Sequence, residues 1–167
     1  RRQAPPDDFF DQLAELLAIP VTTSLQGKSA FPETHALSLG SGGLAIPAPV
    51  HHFLKECDLI LGIGCSFTQT NFGVAMPAGK TIIHATLDPT DVNKDVASAH
   101  AVLGDAKLTL IALIEEVSRT QKSPRDPSAV AKEIKDSYDP WLAKWMPKLT
   151  HNEAPFSPYR VLWDLQN

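Results

Sequence analysis

The chain has 167 residues, of which 43% are hydrophobic and 20% are charged, and this composition predicts one globular domain with a single core. Its net charge of −4 comes from interspersed charges without a long basic run, which argues against a nucleic-acid partner. No apolar run approaches the roughly 20 residues that span a bilayer and the first residues do not resemble a signal peptide, so we expect a cytoplasmic protein without a membrane partner.

The first predicted element is a helix that begins after Asp7 or Asp8. Its apolar residues, from Phe9 onwards, recur at three- and four-residue spacing, which is typical of an amphipathic helix. A short strand is predicted at residues 20–23. The following residues are rich in Gly, Pro and Ser, and within them the segment 39–44 provides backbone that can approach another group closely. This segment lacks the spacing of a dinucleotide fingerprint or a P-loop.

The middle of the chain alternates between strands and helices. The predicted elements are a helix at 49–56, an apolar strand at 58–64, a second strand at 80–87, a brief helix near 92–98, a short strand at 99–103 and a helix capped by Asp105. Alternation with short connections predicts a parallel sheet covered by helices on both faces. In such sheets ligands bind at the carboxyl ends of the strands.

A boundary is predicted at residues 121–127, where two prolines and several charges prevent the preceding helix from continuing. Beyond it we expect a helix from residue 128 that is interrupted near 139–140 and resumes to 148. Trp141 and Trp145 lie one turn apart on this helix, a pattern that favours anchoring on a neighbouring domain over ligand binding. Ser157 is expected to cap a last helix that begins with Pro158.

Short motifs follow one another at regular spacing through the first two thirds of the chain. They are Pro-Val-Thr-Thr at 20–23, Phe-Pro at 31–32, Leu-Gly at 39–40 with Gly43, Cys-Asp at 57–58, Ile-Gly-Cys-Ser-Phe at 63–67, Asp-Pro at 88–89 and Leu-Gly-Asp-Ala-Lys at 103–107. Their order resembles the central domain of thiamine-diphosphate-dependent enzymes of the acetolactate synthase and 2-oxo acid decarboxylase family.

This resemblance implies a three-layer, Rossmann-like α/β domain of the DHS-like NAD/FAD-binding type with a parallel sheet. That domain is expected at residues 1–120, without the first strand of the family. Residues 121–167 are then a helical C-terminal extension that contains a linker, an amphipathic helix and the start of a C-terminal cofactor-binding domain.

The resemblance also implies that the chain is part of a larger enzyme. Such enzymes use thiamine diphosphate and Mg²⁺ to cleave or form a bond next to the carbonyl of a 2-oxo acid. The activating glutamate lies in the family's N-terminal domain and the Gly-Asp-Gly metal motif in its C-terminal domain. We therefore expect no catalytic and no metal-binding residue in this sequence. The expected partners are the enzyme's own N- and C-terminal catalytic domains and a homo-oligomeric subunit.

Candidate binding residues lie where the predicted strands and the glycine-rich segment end. They are Gly40, Gly42, Gly43, Gly64, Cys65, Ser66, Asp88, Gly104 and Asp105. Two roles stay open at this point: a structural spacer that joins the catalytic domains, which the residues favour, and a module that holds ADP, coenzyme A or FAD without a catalytic role. Asp88 is equally compatible with ending its strand and with accepting a ribose hydroxyl.

FAD itself is disfavoured by what stands at the family's flavin-binding positions. The two arginines of the acetolactate synthase loop fall on Ser66 and Thr70, the last glycine of the glycine-rich segment falls on Ile46, and a candidate ribose-binding aspartate falls on Thr86. Each charge-assisted hydrogen bond to phosphate contributes roughly 1.5–3 kcal/mol, so the loss of two weakens flavin binding strongly.

For two other reactive side chains we expect no catalytic role. His84 lies inside an apolar strand and is expected to be a core or interface histidine rather than a base. Cys65 has no His or Asp beside it in sequence to activate the thiol, so we expect it not to act as a nucleophile.

Overall fold

The computed structural model of the protein describes residues 8–43, 46–71 and 73–166. Asp7, the alternative cap of the first helix, and Leu44, at the end of the glycine-rich segment, lie outside these residues. The elements are α1 (Phe9–Leu17), β1 (Val21–Ser24), β2 (Ser38–Gly42), α2 (Ala48–Glu56), β3 (Leu59–Ile63), β4 (Thr81–Thr86), a 3-10 turn (Pro89–Asp91), β5 (His100–Leu103), α3 (Ala106–Thr120), α4 (Ser128–Leu149) and α5 (Pro158–Gln166).

The strands form two parallel sheets, one of β1 and β2 and the other in the order β3-β4-β5. In the larger sheet Leu59 is opposite Thr81 and Ile83 is opposite His100, so all three strands end at the same edge. This arrangement confirms the predicted α/β class with parallel strands and covering helices. The described strands form two sheets rather than one continuous sheet.

One part of the core lies beneath α1. Phe31, Ala14 and Leu37 are almost completely buried together, and Phe10 and Val21 pack against them. The apolar stripe of α1 is therefore covered by the loop between β1 and β2 and by α3, on which α1 packs. No helix in the described part of the chain is long and apolar enough to cross a membrane.

A second cluster joins α4 to the domain. Ile134 of α4 is buried against Leu39 of β2 and Val50 of α2. At the edge of this contact, His52 Nε2 lies 2.7 Å from Glu133 Oε1. The first half of α4 thus belongs to the same packed unit as the strands.

The segment between α3 and α4 is attached to the end of α1. The carbonyl oxygen of Leu16 accepts a hydrogen bond from Gln121 Nε2 at 2.8 Å and one from the Arg125 amide at 3.2 Å. Carbonyl groups in the last turn of a helix have no partner inside the helix, so the segment supplies the partners that α1 lacks.

One local prediction is wrong. Residues 92–98 form turns rather than a helix: Asn93 has a φ of 58°, and its side-chain oxygen accepts hydrogen bonds from the amide and hydroxyl of Ser98, both at 2.8 Å. Asparagine favours such local bonds over helix. The glycine-rich segment contains a strand that was not predicted, β2, in which the Gly40 carbonyl accepts from Thr22 Oγ1 at 2.8 Å.

The interruption expected near residues 139–140 is also absent, because α4 runs unbroken through Pro140 and Pro147. A proline leaves the carbonyl four residues earlier without its helical partner. Asp136, which carries that carbonyl for Pro140, is exposed to water. Ile134 on one side and the Trp141 and Trp145 rings on the other, tilted by 56° with centroids 6.4 Å apart, pack around this position.

Replacing Asp105 by alanine is expected to destabilise the chain by about 0.5–2 kcal/mol, because the side chain caps α3. Its Oδ1 accepts hydrogen bonds from the amides of Lys107 at 2.9 Å and Leu108 at 3.1 Å. Asp8 is a matched control, since it precedes α1 and its carboxylate makes no capping bond to the described amides there. Urea unfolding followed by circular dichroism measures both variants. Equal losses for Asp105→Ala and Asp8→Ala would contradict the prediction.

Candidate functional site

A cleft of about 490 Å³ opens at the carboxyl ends of β3, β4 and β5. Four of the predicted site residues line it: Gly64, Asp88, Gly104 and Asp105. They meet because three parallel strands end at one edge, so the residues that follow each strand are neighbours in space. Ala106, the first residue of α3, completes this side of the cleft.

The other five predicted residues do not line this cleft. Cys65 and Ser66 lie in the loop after β3 but outside the cleft lining, whereas Gly40 and Gly42 lie within β2 and Gly43 directly follows it. The structure therefore divides the predicted set into a group at the larger sheet and a group at the smaller one.

The cleft is lined by two carboxylates, and no basic side chain of the described residues lines it. Asp105 Oδ1 is already used to cap α3. Asp88 Oδ1 accepts from the Thr90 hydroxyl at 2.7 Å and from the Thr90 amide at 2.9 Å. These hydrogen bonds lower the pKa of Asp88, which keeps the carboxylate charged. The cleft thus presents negative charge, which disfavours phosphate groups.

The glycines at the end of β2 are covered by side chains of the chain itself. A Cβ atom on Gly42 would lie 2.8 Å from Val74 Cγ2, and one on Gly43 would lie 2.8 Å from Leu25 Cδ1. Gly40 has a φ of 85°, a left-handed conformation that favours glycine. The close approach that the glycines permit is thus already used at Gly42 and Gly43.

The loop after β3 is held by a buried histidine. His84, only 1% exposed, donates a hydrogen bond from Nε2 to the Cys65 carbonyl at 2.7 Å. The preceding Gly64 donates its amide to the Ala85 carbonyl at 2.8 Å, and the Ser66 hydroxyl accepts from the Thr68 amide at 3.3 Å. The structure confirms that His84 is a core residue with a hydrogen-bond partner.

Phe67 is the residue of this region that the sequence analysis missed. Its ring packs edge-on against His84, with 4.9 Å between the ring centroids, and covers Gly62 in the middle of β3. The available signal was Gly62 itself, because a glycine inside an apolar strand often marks the close approach of another group.

Two further flavin-related positions, Thr86 and Ile46, make internal contacts. Thr86 is buried, and its hydroxyl accepts from the Asp88 amide at 3.2 Å. Ile46 packs against the cluster of Leu39, Val50 and Ile134 and does not line the cleft.

Both thiols are expected to react slowly with iodoacetamide near neutral pH. Burial raises the pKa of Cys65 and of Cys57 above the ordinary value, so the reactive thiolate is scarce until the pH passes these raised values. Mass spectrometry of the native and the urea-unfolded chain after equal exposure measures the difference. Modification of native Cys65 as fast as in the unfolded chain would contradict the prediction.

The described residues contain no group of three or more His, Cys, Asp or Glu side chains that could hold a metal ion.

Comparison with known proteins gives a consistent result. Residues 7–113 match the family model of the thiamine pyrophosphate enzyme central domain. The acetolactate synthase isozyme 3 large subunit of Escherichia coli is 30% identical over 160 residues, which cover 92% of this chain and 27% of that protein. The acetolactate synthase large subunit of Haemophilus influenzae is 33% identical over 157 residues, which cover 90% and 26%.

A solved structure agrees with these relatives. Benzoylformate decarboxylase from Polynucleobacter necessarius superposes with a TM-score of 0.55 at 25% identity, over 72% of this chain and 22% of that one. The chain spans about a quarter of the length of the relatives that it matches. Because the family model matches well over half of the residues, this chain belongs to the family of thiamine pyrophosphate enzyme central domains.

Proposed function

We propose that this chain is the central domain of an enzyme that uses thiamine diphosphate and Mg²⁺ to cleave or form a carbon–carbon bond next to the carbonyl of a 2-oxo acid. The observation that carries the proposal is the continuous similarity to acetolactate synthase large subunits over about nine tenths of the chain. When bound, thiamine diphosphate supplies the nucleophile and the electron sink. We assign the binding of this cofactor and of Mg²⁺ to domains of the enzyme other than this one.

Within that enzyme we propose a structural role for this domain. It joins the N- and C-terminal catalytic domains and contributes to contacts with a second, identical subunit. The packing of α4 supports this role. Its Ile134 is buried against the strands and α2, and its other end contacts α5. A cytoplasmic location stays a prediction.

The role of a nucleotide-holding module is the less favoured alternative. The cleft provides enough volume for a ligand, but its lining offers Asp88 and Asp105 rather than cations to a diphosphate. FAD is therefore not expected on this domain. ADP and coenzyme A share the same diphosphate chemistry and meet the same obstacle.

The test of the proposed function compares the full-length protein with the isolated chain. We expect the full-length protein to turn over pyruvate or another 2-oxo acid only when thiamine diphosphate and Mg²⁺ are both present, as measured by release of carbon dioxide. The isolated chain is expected to show no turnover above a control without protein. Identification of the second product then separates a carboligase from a simple decarboxylase. Cofactor-independent turnover, or turnover by the isolated chain, would overturn the proposal.

A further inference from the structure

A second cleft, of about 370 Å³, lies alongside α2 and shares no lining residue with the cleft at the strand ends. One wall is a face of α2, because His51, Leu54 and Lys55 are three and four residues apart and so lie on one side of the helix. The other wall is the end of the loop that leads to β4, between Val74 and Lys80. We call this space the α2 cleft.

Most of the lining of the α2 cleft is apolar. Ile46 and Leu54 line it and also pack against the buried cluster of Leu39, Val50 and Ile134, so this part of the lining is continuous with the core. The loop contributes further apolar surface through Val74, Ala75, Pro77 and Ala78. A ligand with a short apolar body would therefore remove apolar surface from water when it binds here.

The titratable side chains that line the α2 cleft are all basic. They are His51, Lys55 and Lys80, and no carboxylate of the described residues lines this space. The cleft at the strand ends has the opposite character, with two carboxylates and no cation among its described lining residues. A cleft lined by charges of one sign attracts ions of the other sign, so the α2 cleft favours anions although the whole chain has a net charge of −4.

The two lysines are placed to share one anionic group. Lys80 Nζ donates a hydrogen bond to the Lys55 carbonyl oxygen at 2.6 Å, which ties the loop to the last turn of α2 and fixes the ammonium group at the cleft. An ammonium group has three N–H donors, so this bond leaves two for a ligand. Lys55 Nζ lies 3.6 Å from Glu56 Oε1 with both side chains exposed, and such a pair contributes little to stability. A bound anion can therefore take the place of Glu56.

We propose that the α2 cleft binds a small organic anion, namely a carboxylate or a phosphate monoester on a short apolar body. Lys55 and Lys80 bind the anionic group, and the apolar body lies against Ile46, Leu54 and the loop. Both features are needed, because the lysines alone are surface charges and the apolar lining alone does not select an anion. This inference concerns the domain itself and is independent of the proposed reaction.

The first part of the test uses the full-length protein and three probes with the same apolar body: hexanoate, hexyl phosphate and 1-hexanol. Calorimetry measures their affinities, and hydrogen exchange locates the binding. We expect saturable binding of at least one anion, about tenfold or more tighter than hexanol, with slowed exchange at residues 46–55 and 74–80. The tighter of the two anions identifies the anionic group. Anion binding no tighter than that of hexanol, or protection confined to other parts of the protein, would overturn the proposal.

The second part removes the charges one at a time. Lys55→Gln retains the carbonyl that Lys80 binds, whereas Lys80→Gln also loses this hydrogen bond. Lys144→Gln is the matched control, since Lys144 is an exposed lysine of α4 outside the cleft lining. Each cleft variant is expected to weaken anion binding by about fivefold or more, because a charge-assisted hydrogen bond is lost at a site that water also reaches. Hexanol binding should not change. Equal anion affinities in all three variants would contradict the proposal.

A last variant tests the apolar part of the cleft. Ala78→Leu adds side-chain volume at the loop wall without changing the charge, so it is expected to weaken the binding of the anions and of hexanol alike. Unchanged affinities would show that the probes bind elsewhere and would overturn the proposal. If Lys80→Gln does not fold, Lys55→Gln and Ala78→Leu decide.

Discussion

Replacing Gly62 by alanine is expected to lower the free energy of unfolding of the chain by about 1–3 kcal/mol, the usual cost of overpacking a filled interior. The added methyl would lie 2.3 Å from Phe67 Cζ and 2.9 Å from Cys65 Sγ. The ring cannot move inward, because His84 lies behind it. Urea unfolding followed by circular dichroism measures the loss.

Gly104 provides the control for this substitution. A Cβ atom there would meet Thr109 Oγ1 at 3.4 Å, an ordinary contact, so Gly104→Ala should cost much less than Gly62→Ala. The double variant Gly62→Ala with Phe67→Ala provides a second check. If the methyl and the ring compete for one space, the double variant loses less stability than the sum of the two single variants, by roughly 0.5–3 kcal/mol. Strict additivity would contradict the packing described for Phe67.

Replacing Phe31 by alanine is expected to have the largest effect on stability, a loss of about 3–5 kcal/mol. Phe31 lies in the loop that precedes β2, is 2% exposed and packs against α1, with its ring 5.0 Å from the His35 ring. Its removal leaves a cavity against the buried Ala14 and Leu37.

The measurement is again urea unfolding of the chain. Phe156→Ala is the control, because Phe156 is 59% exposed and its removal creates no interior cavity. The expected difference between the two variants is at least about 2 kcal/mol, since substitutions at exposed positions usually change stability by no more than about 0.5 kcal/mol. Similar losses in the two variants would show that the core beneath α1 is not packed as described.

The sequence was sufficient for the elements whose stability is local. The β3 strand is a continuous apolar run and β4 is mostly apolar, and the cap of α3 is formed by Asp105 within three residues of the amides that it binds. Such signals lie in neighbouring residues, and the structure confirms them. The same holds for the last helix, where the Ser157 hydroxyl accepts from the Arg160 amide at 3.3 Å.

The elements that the sequence did not predict depend on distant contacts. β2 contains two glycines and no β-branched residue, and it becomes a strand because β1 lies beside it. The helix predicted near 92–98 was wrong for a different reason. The apolar pattern is compatible with a helix and does not reveal the left-handed conformation of Asn93. Helix α4 passes Pro140 because packing on both sides maintains it.

The candidate site was also predicted only in part. Gly64, Asp88, Gly104 and Asp105 were found because strand ends are visible in a sequence and meet by the geometry of a parallel sheet. The use of Gly42 by Val74 was not visible, because the two residues are far apart in the chain. A glycine shows that something approaches, but the sequence does not say whether the approaching group is a ligand or a side chain.

The attachment of residues 121–127 to Leu16 determines where the chain can be truncated or fused to another protein. Two hydrogen bonds to one carbonyl fix both the start and the end of this segment, so its length sets where α4 begins. An inserted residue would move Ile134 out of register with Leu39 and Val50, and a chain ended at residue 120 would leave both of these side chains open to water. For exchange of domains between related enzymes, a junction after Leu149 keeps this contact intact.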